Sequence, residues 1–186
     1  MEDFLDSITA ALDAGEIDTI EASRRTIRYV QRQMGCDVVS YWTIGGEPSA
    51  RSAKRVACAD VDDPGADLVP MELPPDLCRA CLDLIADGGI VWSSDALRDP
   101  RLAALREGYL VPAGIRSLLC VTIAVNDQPM SVIVCSMRHS PWAWTRSQVA
   151  QMRRLAAQIS IRKAQRLSRH RAAAAMAEAM TLPPSF

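Results

Sequence analysis

Two apolar runs held apart by a short turn-forming stretch constrain this chain more than any other feature. Residues 115–125 (IRSLLCVTIAV) and 130–137 (MSVIVCSM) are rich in β-branched side chains, and Asn126, Asp127 and Gln128 lie between them, so the expectation is an antiparallel hairpin. A second pair is read at residues 36–44 (CDVVSYWTI) and 51–59, broken by Gly45 and Gly46 and closed by the turn-rich DVDDPGAD. Residues 90–92 add a shorter apolar run. Helices flank these strands. Residues 2–13 read as a short helix ended by Gly15; a second starts at Asp18, which can cap the turn holding Glu21, carries Ile20, Ile27, Val30 and Met34 near one stripe, and stops at Gly35. LPPDLCRACLDLIADGG has proline at a helix start and Leu77, Cys81, Leu84 and Ile85 at helical spacing before its glycines. SSDALRDPRLAALREGYLVPAG reads as an irregular, partly helical connection. Thr145 is placed to cap a long helix reaching about Met180, with Pro183 and Pro184 forbidding continuation. Few strands are separated by a crossover helix, so the sheet should be mainly antiparallel, with helices on its faces, which is an α+β arrangement.

At 186 residues and 49% hydrophobic content the chain can bury one full core. One domain is therefore expected, in three parts: helices over residues 1–35, sheet and pocket over 36–145, and the long helix over 146–182. No apolar run has the length of a membrane span, and the N-terminus is acidic where a secretory signal would be basic and then apolar, so a cytoplasmic location is expected. The net charge of -1 gives no pull toward nucleic acid or membrane, and neither partner is expected. Charge is nonetheless segregated: seven acidic residues from Glu2 to Glu21 precede the first basic residue, Arg24, whereas Arg146, Arg153, Arg154, Arg162, Lys163, Arg166, Arg169 and Arg171 run without an acidic residue among them. Opposite signs at the two ends predict helices lying side by side, within one subunit or across a dimer.

Three segments carry a family resemblance. IVWSSDALRDPR looks like a strand ending in aspartate followed by a DPR-like loop, GIRSLLCVTIAVNDQPMSVIVC like a GxxS strand with its turn and returning strand, and WAWTRSQVAQMRRLAAQISIRKA like a closing segment of aromatic, threonine and helix. In that order, over residues 20–164, they resemble the GAF domain family. The resemblance implies a GAF/PAS-like α+β fold, with an antiparallel sheet of five or six strands, terminal helices on one face serving dimerisation, and a small-molecule pocket under loops and a short helix on the other. It further implies a sensory or regulatory module without catalytic machinery. Some family features are missing. Ser131 stands where a strand-opening glycine is usual, the asparagine-lysine-phenylalanine-aspartate-glutamate signature of cyclic-nucleotide-binding members is absent, and neither His139 nor His170 follows a cysteine as in bilin-binding members.

Candidate chemistry is sparse. Cys78 and Cys81 form a CxxC, but a closed zinc site needs two further ligands, and Cys81 falls on an apolar stripe; with Cys36, Cys58, Cys120 and Cys135 in strands, all six cysteines are read as unpaired core thiols, with no metal and no cofactor. Neither histidine neighbours a serine or cysteine in a nucleophile-elbow context. Tyr41, Trp42, Trp92 and Tyr109 suit a pocket wall or a core, and Cys58 joins them as a candidate. Asp95 can cap the turn that follows and also lies at the pocket rim that the resemblance implies. Arg98 and Arg101 beside it would favour a carboxylate or phosphate. Ser117, read on the side of Ile115, Leu119 and Val121, faces the pocket or needs a buried partner. The expectation is thus a small-molecule-sensing domain acting as a homodimer through its terminal helices, with its ligand bound among these residues. Any signal would leave through a surface, toward a partner protein. The alternatives are a ligand-free dimerisation or interaction module, and an enzyme like the free-methionine-sulfoxide reductases, which share the fold.

Overall fold

In the computed structural model, residues 1–47, 50–63, 65, 71–86 and 88–181 are described; the expected stop at Pro183 and Pro184 and parts of DVDDPGAD and of the Asp87 turn lie outside them. The hairpin forms as its residues require. Strand β5 (Ile115–Val125) turns into β6 (Gln128–Arg138) through Asn126 and Asp127 alone, with φ of 50° and 59°. Asparagine and aspartate tolerate this left-handed conformation, and two such residues in succession give the hairpin turn whose twist matches the strands. Gln128 already pairs with Val125, so the turn is one residue shorter than the sequence indicated.

β1 (Val38–Gly45) pairs with β6 and with β2 (Ser52–Asp60), and β4 (Ile90–Ser93) pairs with β5. A two-residue strand β3 (Met71–Glu72), too short to leave an alternating pattern, closes the far edge. The sheet order is β3-β2-β1-β6-β5-β4 and every pairing is antiparallel, as expected. β1 begins at Val38, so Cys36 precedes it. Arg138 fastens one end of the sheet, donating two hydrogen bonds to Asp60 (3.0 and 2.7 Å) while its backbone N–H donates to Asp37 (2.8 Å).

One face is covered by α1 (Glu2–Asp13), α2 (Thr19–Met34) and α4 (Arg146–Thr181). Asp18 caps α2 through the Glu21 N–H at 2.7 Å, and Gly35 ends it at φ 64°. A capping box opens α4: the Thr145 hydroxyl accepts from the Gln148 N–H at 3.1 Å, and Gln148 returns the bond to the Thr145 N–H at 3.0 Å. Ile27 and Val30 of α2, Met152 and Leu155 of α4, and Val39, Leu119, Val121 and Ile133 of the sheet form the core here, all at 2% exposure or less. Each such aliphatic side chain contributes about 1.5–3 kcal/mol by leaving water. Val149 and Ile159 pack against the same core, so the apolar positions of α4 from Val149 to Ile159 are covered by their own sheet rather than left for a partner. The charged ends meet within the chain: Asp6 accepts from Arg162, and Asp13 accepts from Arg169 at 2.8 Å and lies 3.8 Å from Arg166.

The other face carries α3 (Pro75–Ala86) and the connection after β4, where a 3-10 turn (Pro100–Leu105) runs into a π-helical turn (Arg106–Leu110). Leu102, Leu105 and Leu110 of the connection are buried with Ile85, Val91 and Leu118. This layer holds the candidate site.

Candidate functional site

A chamber of about 70 Å³ remains between the sheet and its α3 cover. Period-two alternation sets its floor: Trp42 and Ile44 from β1, Leu118 and Cys120 from β5, Val132 and Val134 from β6. Cys78, Cys81 and Ile85 close it from α3, and Leu102, Leu105 and Tyr109 close it from the connection. The Tyr109 ring stands edge-on to Trp42, with centroids 6.1 Å apart at 79°. The Trp42 N–H is used elsewhere, donating to the Ser40 hydroxyl at 2.8 Å.

Its titratable groups are all neutral near pH 7. Burial pushes the Cys81 thiol up to about 12, and it also raises Cys120, Cys78 and the Tyr109 phenol above their ordinary values. Thiols held in this way are poor nucleophiles and poor metal ligands. A charged guest would lose its hydration without finding a counter-charge among the lining side chains, whereas a neutral apolar guest would lose little.

Of the residues singled out in the sequence, the structure brings Trp42 and Tyr109 together in this chamber. Tyr41, next in sequence to Trp42, points to the opposite face and packs in the helix-side core. Cys58 is buried opposite Ser40 on β2 but does not line the space. Trp92 points outward from β4, 42% exposed, while its neighbour Val91 points in. Arg98 is exposed, and Arg101 is occupied: it donates to Asp99 (3.1 and 2.7 Å) and to the Trp92 carbonyl at 2.9 Å.

Two local readings need correction. The side-chain cap of the turn is Asp99, which accepts from the Arg101 N–H at 3.0 Å; Asp95 contributes its carbonyl to Arg98 and Asp99, and its carboxylate lies 3.7 Å from both Arg98 and Arg116. Pro100 at the first position of the turn selects Asp99, since the cap directly precedes it. Arg101 holds the Asp99 carboxyl at about 2. Ser117 is fully buried, but a bulge between Ile115 and Ser117 puts Ile115 on the α3 side, and Ser117 does not line the chamber. Its hydroxyl donates to the Ser94 carbonyl at 2.7 Å and accepts from the Trp142 N–H at 2.6 Å, tying β4 to the loop before α4.

Leu102, Leu105, Leu118 and Val132 are lining residues that sequence reasoning did not single out. The strand alternation of Leu118 and Val132 was visible, but an apolar side chain beside a void has the same pattern as one that is packed.

Against known proteins, the GAF domain family model matches residues 18–162. The solved phycocyanobilin-bound GAF domain of a cyanobacterial phytochrome superposes with a TM-score of 0.69 at 17% identity, covering 88% of this chain and 93% of that one. A phycoerythrobilin-bound cyanobacterial phytochrome GAF domain gives 0.71 at 17% identity over 91% and 97%. The blue-light-absorbing form of the Thermosynechococcus elongatus PixJ GAF domain gives 0.70 at 17% over 94% and 95%. None of the curated proteins compared matches this sequence. At such identities the structural likeness is one of fold.

Proposed function

The chain belongs to the GAF domain family, and from that premise we propose that it is a sensory or regulatory domain whose input is a small, uncharged, apolar molecule held in the chamber beneath α3. The apolar chamber with its irregular cover is the observation that carries this reading. At about 70 Å³ it lies well below the roughly 300 Å³ at which small-molecule sites usually begin, so a guest must lift α3 or the connection. That displacement is the signal. A binding event coupled to movement of a covering element shifts the population of two arrangements, and a partner protein can read the difference. The bilins of the phytochrome neighbours do not carry over, because the chamber is too small and neither His139 nor His170 follows a cysteine. A redox-enzyme role is disfavoured by the raised thiol pKa values of Cys78, Cys81 and Cys120.

The output surface we assign is α4 beyond the sheet, together with α1. Ile161 and Met176 are exposed there, at 51% and 68%, and homodimerisation would cover them. A cytoplasmic setting fits six cysteines that form no disulfide, and among the described residues no helix is long and apolar enough to cross a membrane. The small residual volume also favours a second reading, a ligand-free module whose pocket is filled by Trp42 and leucines.

Thermal-shift titration with small neutral compounds separates the two, since a ligand of the native state raises apparent stability with concentration. The sensing reading expects saturable stabilisation in the native sequence and its loss in Val132→Phe, which fills the chamber. Stabilisation by none of them would leave the ligand-free module. Sedimentation at micromolar concentration tests the dimer, and a monomer there refutes it.

A further inference from the structure

The helix-covered side of the sheet contains a second, larger cleft of about 290 Å³. Leu5, Ile8 and Leu12 of α1 cover it, Ile20 of α2 and Ile159 of α4 wall it, and Val56 lies on its floor. Most of its surface is apolar, but polar side chains of α1, α2, β1 and α4 also line it, Lys163 among them. Lys163 of α4 donates from Nζ to the Ser131 hydroxyl at 2.8 Å, and that hydroxyl also bonds the buried Tyr41 phenol.

The ion pairs around Lys163 leave it without an anion. Asp6 takes Arg162, and Asp13 takes Arg166 and Arg169, so both α1 carboxylates that reach α4 are engaged. Among the described residues no carboxylate lies within ion-pair distance of Lys163, whose described hydrogen bond is to a neutral hydroxyl. An ammonium beside apolar walls is unfavourable unless an anion joins it. Burial correspondingly pulls Lys163 below its ordinary value. The volume sits near the lower end of the roughly 300–1,000 Å³ usual for small-molecule sites.

We propose that this cleft is a second ligand site, separate from the chamber beneath α3, for a small amphiphile carrying one carboxylate. The carboxylate pairs with Lys163 Nζ, and the apolar body lies along Ile8, Leu12 and Ile159. A charge-assisted bond of this kind is about twice as strong as a neutral one and gives the site its preference for the ionised head. Because α1 roofs the cleft through exposed ion pairs, occupancy would tighten α1 onto α4.

The test uses sodium octanoate and 1-octanol as probes, with calorimetric titration and methyl-labelled NMR on the intact chain. Octanoate should bind saturably and about tenfold or more tightly than 1-octanol, with intermolecular NOEs to the Ile8 and Ile159 methyls. Lys163→Met should remove the preference, so that both probes bind alike. Equal binding of the two probes to the native sequence would overturn the proposal, as would octanoate NOEs confined to Leu102 and Leu118. An unchanged octanoate preference in a folded Lys163→Met would do the same. The native-sequence comparison decides the question even if that variant does not fold. A failed ligand screen at the α3 chamber leaves this result untouched, because the two sites have no residue in common.

Discussion

Leu102→Ala is the most informative single change, because it perturbs the stability of the cover and the capacity of the chamber together. Leu102 is 1% exposed, lines the chamber, and belongs to the α3-side cluster with Ile85, Val91 and Leu118. Removing three buried carbons costs about 2.4 kcal/mol at ~0.8 kcal/mol each. A void that only partly collapses adds to this, placing the total at about 3–4 kcal/mol, inside the range of ~2–5 kcal/mol for such truncations. For a chain of this size the midpoint of thermal unfolding should fall by roughly 2–4 °C per kcal/mol, or about 6–16 °C. The capacity argument runs the other way. The chamber of about 70 Å³ grows toward the ~150 Å³ at which an apolar cavity binds benzene. Benzene should therefore stabilise Leu102→Ala clearly more than the native sequence. Urea unfolding with and without saturating benzene measures both quantities. A loss below about 1 kcal/mol, or equal benzene stabilisation of the two proteins, would refute the reasoning that Leu102 bounds a real void.

Other perturbations test the surroundings of the chamber and the sheet. Asp99→Asn should flatten the acid limb of stability: Asp99 is held at about 2 by Arg101, so its contribution is present above the unfolded value near 3.9 and is lost as pH falls through about 2. Denaturation followed between about pH 4 and 2 should show the native sequence losing more stability than the variant. Arg138→Met should cost about 2–4 kcal/mol by leaving the buried Asp60 carboxylate, among the described residues, with its bond from the Asp62 N–H alone, and adding Asp60→Asn should return part of the loss in urea unfolding. Ser117→Ala should cost about 1–2 kcal/mol in the same assay, because Trp142 N–H and the Ser94 carbonyl keep their mutual bond at 3.0 Å, and it should leave binding in the chamber unchanged.

The elements legible in the sequence were those whose signals are local. Asp18 and Gly35 bounded α2, Thr145 opened α4, and Asn126-Asp127 turned β5 into β6 because each acts on its own backbone. The site was less legible because it depends on which face a strand presents. Tyr41 and Trp42 were both offered as pocket residues, although strand alternation forbids adjacent residues from sharing a face, and only Trp42 reaches the chamber. The bulge before Ser117 reversed the side assigned to Ile115, and no residue type in that stretch announces a bulge. Asp95 and Asp99 were equivalent as carboxylates before a turn, and the Asp99-Pro100 pair was the overlooked discriminator. Lys163 was read only as one member of a basic helix. Its lack of an acidic partner emerges only when α1, α4 and β6 are brought together.

The central claim, that the chamber beneath α3 admits a neutral guest at the expense of its cover, is tested most directly by methyl NMR on the native sequence titrated with cyclopentane. The account predicts saturable shifts at the Leu102, Leu105, Leu118 and Val132 methyls, together with shifts of α3 methyls such as Ile85 as the cover moves. Methyl signals unchanged at saturation, or shifts restricted to surface side chains, would contradict it.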